Sequence, residues 1–218
     1  MPRLSYHNSE RLFMVLWIIV LFFTMKAPYN FMTFNVFLAA VPIELGFQLR
    51  RFTDKRSLAF WGLLVLWLLF YPNAPYVMTD LFHLSWLHPH TAVSGLLRTD
   101  PHMWITFCLM VTSAFAAALF GTVSLLTVSR LLTMVTTPHH LGLRYLWITL
   151  FTICSSIGIY IGRFLRLHSF YLLMTPSWFF KQLMSIWKPQ MWAFTLAMTF
   201  TQLLLAVLVH QIRRSAHE

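Results

Sequence analysis

The residues best suited to chemistry in this sequence are an aspartate and a histidine three positions apart, Asp80 and His83, in otherwise apolar sequence. They lie in the stretch 71–84, which follows an apolar run and contains two prolines, so the preceding helix should end or turn there. If residues 76–87 are helical, Tyr76, Asp80 and His83 share one face. We predict that Asp80 and His83 are candidate catalytic residues, acting as an acid/base or orienting pair.

A second polar stretch combines two arginines with two glycines. Arg163 and Arg166 stand at the i, i+3 spacing that puts side chains on one helical face. Gly158 and Gly162 precede them and allow a neighbouring helix to pack closely. Arginine suits bidentate contacts with phosphate or carboxylate. The candidate substrate-binding residues are Asn73, Tyr76, Arg163 and Arg166.

Composition indicates that these residues belong to a membrane protein. The chain is 58% hydrophobic and only 10% charged, whereas soluble domains carry about 25% charged residues. Nine Trp and seven Tyr suit interfacial belts. The net charge of +10 falls in short segments between apolar runs, which indicates membrane topology and attraction to anionic lipid rather than nucleic-acid binding. Both cysteines lie in apolar runs, so no disulfide is expected.

The apolar runs predict an all-α, polytopic integral membrane protein that forms a single transmembrane domain over residues 1–218. We expect about six transmembrane helices and interfacial helices on the extracytoplasmic side, the latter including the amphipathic stretch 168–190. Small residues in the fourth run should allow close helix packing. The six predicted spans cover residues 11–25, 31–48, 58–71, 104–132, 144–163 and 192–210.

The distribution of Lys and Arg predicts the orientation in the cell membrane. With six spans, ten of these residues fall on the side of both termini and six on the other. Since cytoplasmic loops carry the excess of positive charge, both termini should be cytoplasmic and Asp80 should lie on the extracytoplasmic side. Glu44, near the cytoplasmic end of the second span, is expected to pair with Arg50, Arg51 or Arg56.

Simpler interpretations of the same residues remain open. In one, Arg163 and Arg166 extend to lipid phosphates as interface anchors. In another, the role of Asp80 is limited to forming an ion pair with one of them. Asn73 stands where a helix cap is expected, and Asn35 is typical of a hydrogen bond between helices.

A metal site is a further alternative. It would need Asp80, His83, His168 and one of His88, His90 and His102. Such spacing arises easily by chance in a chain with ten histidines, so we predict no metal and name no cofactor.

Two motifs resemble one family of bacterial polytopic membrane proteins. The first is the string 72–76 (Pro-Asn-Ala-Pro-Tyr) followed by Thr79-Asp80 and His83-Leu84, and the second is 158–166 (Gly-Ile-Tyr-x-Gly-Arg-Phe-x-Arg). Both are similar to the family known as domain of unknown function 1361. In the family, the arginine of the second motif is usually followed by a string like Asn-Ser-Trp-Asp, where this chain has His-Ser-Phe-Tyr at 168–171. The resemblance implies a membrane fold and selects these residues, but it implies no activity.

Two classes of function follow from these residues. The first is a polar site on the extracytoplasmic face for an anionic headgroup or a lipid-linked substrate. The second is a non-catalytic membrane subunit or scaffold that packs against a membrane-protein partner. A metal-dependent membrane hydrolase and a transporter are further alternatives. Whether the protein is an enzyme is left open.

Overall fold

The computed structural model describes residues 6–52, 54, 57–91, 94–140, 142–165, 177 and 184–215, most of which are helical. A 3-10 helix (Asp80–Leu87) continues from the fourth α-helix, and a π-helical turn (Ile161–Leu165) continues from the sixth. The α-helices are α1 (Tyr6–Thr24), α2 (Phe31–Leu49), α3 (Leu58–Phe70), α4 (Asn73–Thr79), α5 (Pro101–Thr136), α6 (Leu143–Tyr160) and α7 (Pro189–Ser215).

The prediction of an all-α polytopic membrane protein is confirmed. In the described part of the chain, five helical stretches are long and apolar enough to cross a membrane: Phe31–Leu49, Leu58–Leu87, Pro101–Thr136, Leu143–Leu165 and Pro189–Ser215. The first predicted span, α1, is not among the five. Its residues 6–11 are Tyr-His-Asn-Ser-Glu-Arg, so the apolar part of α1 is short for a bilayer core about 30 Å thick.

Polar residues at the predicted turns set the helix ends. The Ser57 hydroxyl caps α3 by accepting a hydrogen bond from the backbone N–H of Phe60 at 3.3 Å. The Asp100 carboxylate caps α5 in the same way, through the N–H of His102 at 3.0 Å, and Pro101 occupies the first helical position. The predicted amphipathic stretch 168–190 lies mostly outside the described residues.

Helices α2 and α5 form the centre of the bundle. Helix α2 packs against α1, α3, α4 and α5, and α5 also packs against α6 and α7. One serine forms hydrogen bonds with two neighbouring helices. Ser124 of α5 accepts a hydrogen bond from Trp67 Nε1 of α3 at 2.9 Å and donates one to the Pro42 carbonyl oxygen of α2 at 3.1 Å. These buried bonds fix α2, α3 and α5 in the apolar interior.

The small residues of α5 and α6 make close packing contacts within the chain. A Cβ atom added to Gly121 would lie 2.6 Å from the Cβ of Ala74, and one added to Gly158 would lie 2.9 Å from Pro72 Cγ. The predicted close packing therefore brings the 72–76 motif against both α5 and α6. Three alanines of α5 are also buried, namely Ala114, Ala117 and Ala118.

The structure places an unexpected arginine against Glu44. Arg11 of α1 donates from Nε and Nη2 to the two Glu44 carboxylate oxygens at 2.7 and 2.8 Å. This pairing arises because the start of α1 lies beside the end of α2. Arg50, one of the expected partners, instead extends to Thr127 Oγ1 at 3.5 Å.

The contact between Gly121 and Ala74 gives the first testable prediction. Gly121→Ala should destabilise the protein by about 1–3 kcal/mol, since two Cβ atoms would overlap and neither can rotate away. The control is Gly62→Ala, at a position where an added Cβ meets nothing within 4 Å. Thermal unfolding in detergent measures both. An unchanged midpoint for Gly121→Ala would contradict this packing of α4 on α5.

Candidate functional site

A cluster of polar side chains lies where four helical elements meet. Asp80 is the first residue of the 3-10 helix, Tyr76 belongs to α4, Asn35 to α2 and Arg163 to the π-helical turn. Short 3-10 segments and π-helical turns are often found at functional sites. The folded chain thus brings Asp80 and Arg163 to the same place, as the sequence predicted for the aspartate and one arginine.

The Asp80 carboxylate is the centre of the cluster. Its Oδ1 accepts a hydrogen bond from Arg163 Nη1 at 3.0 Å, and its Oδ2 accepts one from Asn35 Nδ2 at 2.7 Å. The Asp80 side chain is 0% exposed. A buried carboxylate is tolerated only when it is paired and hydrogen-bonded, and both conditions are met here. Asp80 thus joins α2 to the end of α6.

Among the described residues, the Arg163 guanidinium has three defined acceptors and a fourth contact that depends on the tautomer of His83. Besides Asp80, Nη1 donates to the Tyr76 hydroxyl at 3.3 Å, and Nη2 donates to the Thr79 carbonyl oxygen at 2.9 Å. Nη2 also lies 3.2 Å from His83 Nδ1. The guanidinium carbon is 5.6 Å from the centre of the Tyr76 ring, within cation–π range. The orientation of the planar group is fixed, while 18% of the side chain stays exposed.

His83 completes the cluster and faces two aromatic rings. Its ring centre lies 4.6 Å from that of Phe31 and 4.4 Å from that of Trp86. Its Nδ1 is 3.0 Å from the backbone carbonyl oxygen of Asp80. A protonated Nδ1 would donate to that oxygen, whereas an unprotonated Nδ1 would accept from Arg163. Nδ1 of a neutral imidazole therefore has a hydrogen-bond partner in either tautomer. The side chain is 19% exposed.

Of the other predicted site residues, Asn73 lies outside this cluster. Asn73 Nδ2 donates to the Phe70 carbonyl oxygen at 2.9 Å, which caps the end of α3. Arg166 and His168 lie outside the described residues, and the role of Arg166 stays a prediction. Within the described ranges, no three His, Cys, Asp or Glu side chains are grouped to hold a metal ion.

Sequence reasoning missed part of the site. Nothing in the sequence indicated that the Thr79 carbonyl would accept from Arg163, or that Phe31 and Trp86 would flank His83. Asn35 was expected to make an interhelical hydrogen bond, and an amide in an apolar helix was the signal. Its partner, Asp80, emerges only from the folded chain.

The sequence matches a family model described as "Protein of unknown function (DUF1361)" over residues 34–205. The chain belongs to this family. The resemblance seen in the two motifs is confirmed, and the matched region contains every polar member of the cluster. Comparisons with curated proteins and with solved structures found no match.

The buried pair gives a prediction that a double-mutant cycle can measure. Asp80→Asn or Arg163→Gln should each destabilise the DUF1361 fold by about 3–5 kcal/mol, since each leaves a buried group without its partner. The double variant should lose much less than the sum. The exposed pair Arg98 and Asp100, 3.3 Å apart, is the control and should couple by less than about 1 kcal/mol. Additive effects at Asp80 and Arg163 would refute the pairing.

Proposed function

We propose that this multi-pass membrane protein binds an anionic headgroup, of a lipid or of a lipid-linked substrate, at the Asp80 cluster. The proposal rests on the Arg163 guanidinium, which donates to Asp80, to the Tyr76 hydroxyl and to the Thr79 carbonyl oxygen and keeps 18% of its side chain exposed. A guanidinium whose orientation is already fixed loses little freedom when it binds a phosphate.

The charge of the sequence that follows the cluster supports an anionic ligand. The segment from Arg163 to Lys188 contains four Lys or Arg residues and no Asp or Glu. Asp80 neutralises one of these positive charges, so the segment retains a positive excess. Cationic segments at the membrane surface attract anionic headgroups by about 1 kcal/mol per residue.

We propose different roles for the two predicted catalytic residues. Asp80 has no exposed surface, so we propose it as a positioning residue that holds Arg163 rather than as an acid or base. His83 is 19% exposed and adjoins the guanidinium. If the bound substrate reacts, His83 is the group that would move a proton. Tyr76 would contact the ligand through the hydroxyl that now meets Arg163.

A second candidate is a structural latch with no ligand. It is favoured by the Arg163 hydrogen bonds to Asp80, Tyr76 and the Thr79 carbonyl oxygen, all of which are made inside the protein. In this alternative the protein would be a non-catalytic subunit or scaffold. The small residues of α5 do not offer a surface to a partner helix, because Ala114, Ala117 and Ala118 are buried and Gly121 packs against Ala74.

Binding of short-chain lipids distinguishes the two candidates. The purified protein in detergent should bind dihexanoyl phosphatidylglycerol more tightly than dihexanoyl phosphatidylcholine, as measured by native mass spectrometry. Tyr76→Phe and His83→Gln should each weaken phosphatidylglycerol binding about threefold to tenfold, which corresponds to one lost hydrogen bond.

The matched control is Arg98→Gln, which removes an exposed cation whose partner is Asp100. It should leave the affinity within about twofold. If the wild type shows no headgroup preference, or the two cluster variants lower the unfolding temperature without changing affinity, the latch is the better description.

The orientation is a separate proposal, which counts α1 as a sixth span: both termini face the cytoplasm and the cluster faces the other side of the cell membrane. In a chain with Cys108→Ser and Cys154→Ser, a cysteine replacing the exposed His90 should react with an impermeant maleimide on intact cells. A cysteine replacing the exposed His139, in the loop between α5 and α6, should react only after permeabilisation. The reverse pattern would invert the topology.

A further inference from the structure

A groove runs between α1 and α2 at the opposite end of the bundle from Asp80. It encloses about 290 Å³, and its apolar lining comes from Met14, Val15, Ala40, Ile43 and Phe47. Val15 is 55% exposed, so the groove opens sideways onto the surface that would contact lipid tails. From Ala40 to Phe47 it extends about 10 Å along the helix axis.

Charged groups line one end of this apolar groove. Arg11 and Glu44 form an ion pair at 2.7 Å there, with 36% and 43% of their side chains exposed. The Arg11 guanidinium carbon lies 5.2 Å from the centre of the Phe47 ring, which fixes its direction. Glu10 also lines the groove and is only 4% exposed.

Charges of both signs adjoin the groove. Two carboxylates, Glu10 and Glu44, and one cation, Arg11, belong to its lining. Arg50 lies close enough to interact electrostatically with Glu10, and Arg130 and Arg213 lie near Arg50 in turn. A headgroup that carries both signs matches this lining, since its phosphate can meet Arg11 and its ammonium can meet a carboxylate.

Unused hydrogen-bonding capacity indicates where such a headgroup would bind. Among the described residues, Arg11 donates from Nε and Nη2 to Glu44, while its Nη1 makes a single long contact of 3.5 Å with Asn8. In the same part of the chain, Glu44 accepts three hydrogen bonds, two from Arg11 and one from Gln48. A carboxylate has about four acceptor sites, so one remains for an N–H donor.

We propose that this groove is a binding site for a phospholipid with a zwitterionic, primary-amine headgroup. One acyl chain fills the apolar groove, the phosphate contacts Arg11 Nη1, and the ammonium donates to Glu44. The quaternary amine of a choline headgroup has no N–H to donate, so it lacks the last contact. The site is separate from the Asp80 cluster and does not depend on the function proposed there.

Native mass spectrometry with matched lipids tests the proposal on the full chain. Dihexanoyl phosphatidylethanolamine should bind about tenfold more tightly than dihexanoyl phosphatidylcholine or dihexanoyl phosphatidylglycerol to this groove. Ala40→Phe, which fills the groove without altering a charge, should remove that tighter binding. Ala197→Phe, at an exposed alanine of α7, should leave it unchanged.

A charge variant separates headgroup recognition from chain binding. Glu44→Gln should reduce the preference for ethanolamine over choline to less than about twofold, with chain binding retained. The proposal is overturned if the wild type shows no ethanolamine preference or if Ala40→Phe binds like the wild type. It is also overturned if deleting residues 2–5 is required before any lipid binds, because the chain's own N-terminus would then occupy the groove.

Discussion

The ion pair between Asp80 and Arg163 is the constraint on which this structure most depends. A carboxylate with no exposed surface in an apolar bundle is stable only while its partners stay in place. The pair, with Asn35, connects α2, the 3-10 helix and the end of α6. Any movement of one element away from the others would leave a buried charge unpaired. The rigid position of the motif 72–76 follows from this, together with the close packing at Gly121 and Gly158.

The ion pairs at the two ends of the bundle differ in burial. At the Asp80 end, the ion pair is buried, and the sequence from Arg163 to Lys188 contains four Lys or Arg residues. At the other end, Arg11 and Glu44 form a partly exposed pair beside an apolar groove. A buried pair fixes the geometry of the backbone, whereas an exposed pair is available to ligands and contributes little to stability. The two proposals use this difference: the buried pair would position Arg163 for an anionic headgroup, and the exposed pair would itself contact a lipid headgroup.

Much of the fold was predictable because apolar runs and their breaks define membrane helices. The start of α2 at Phe31 and of α3 at Leu58 coincide with the predicted starts. Helix α5 extends beyond both predicted ends, since Asp100 caps it early and residues 133–136 continue it to Thr136. Pairing between distant segments was harder to predict. Within the described residues, Glu44 pairs with Arg11, and only the fold places α1 beside the end of α2.

The polar cluster shows the same limit on a smaller scale. Its charged members were identifiable from their types, because ionisable residues are rare in apolar sequence. Sequence spacing does not supply side-chain directions. These directions decide the burial of Asp80, the aromatic contacts of His83 and the capping role of Asn73.

The most direct test of this account is a solid-state NMR measurement on the protein in lipid bilayers. Dipolar coupling between the labelled Asp80 carboxyl carbon and the Arg163 guanidinium nitrogens reports whether the two groups are in contact. A strong coupling, at hydrogen-bonding distance, is the expected result. A folded protein in which this coupling is absent would contradict the account, because the four elements would then be held together by something else.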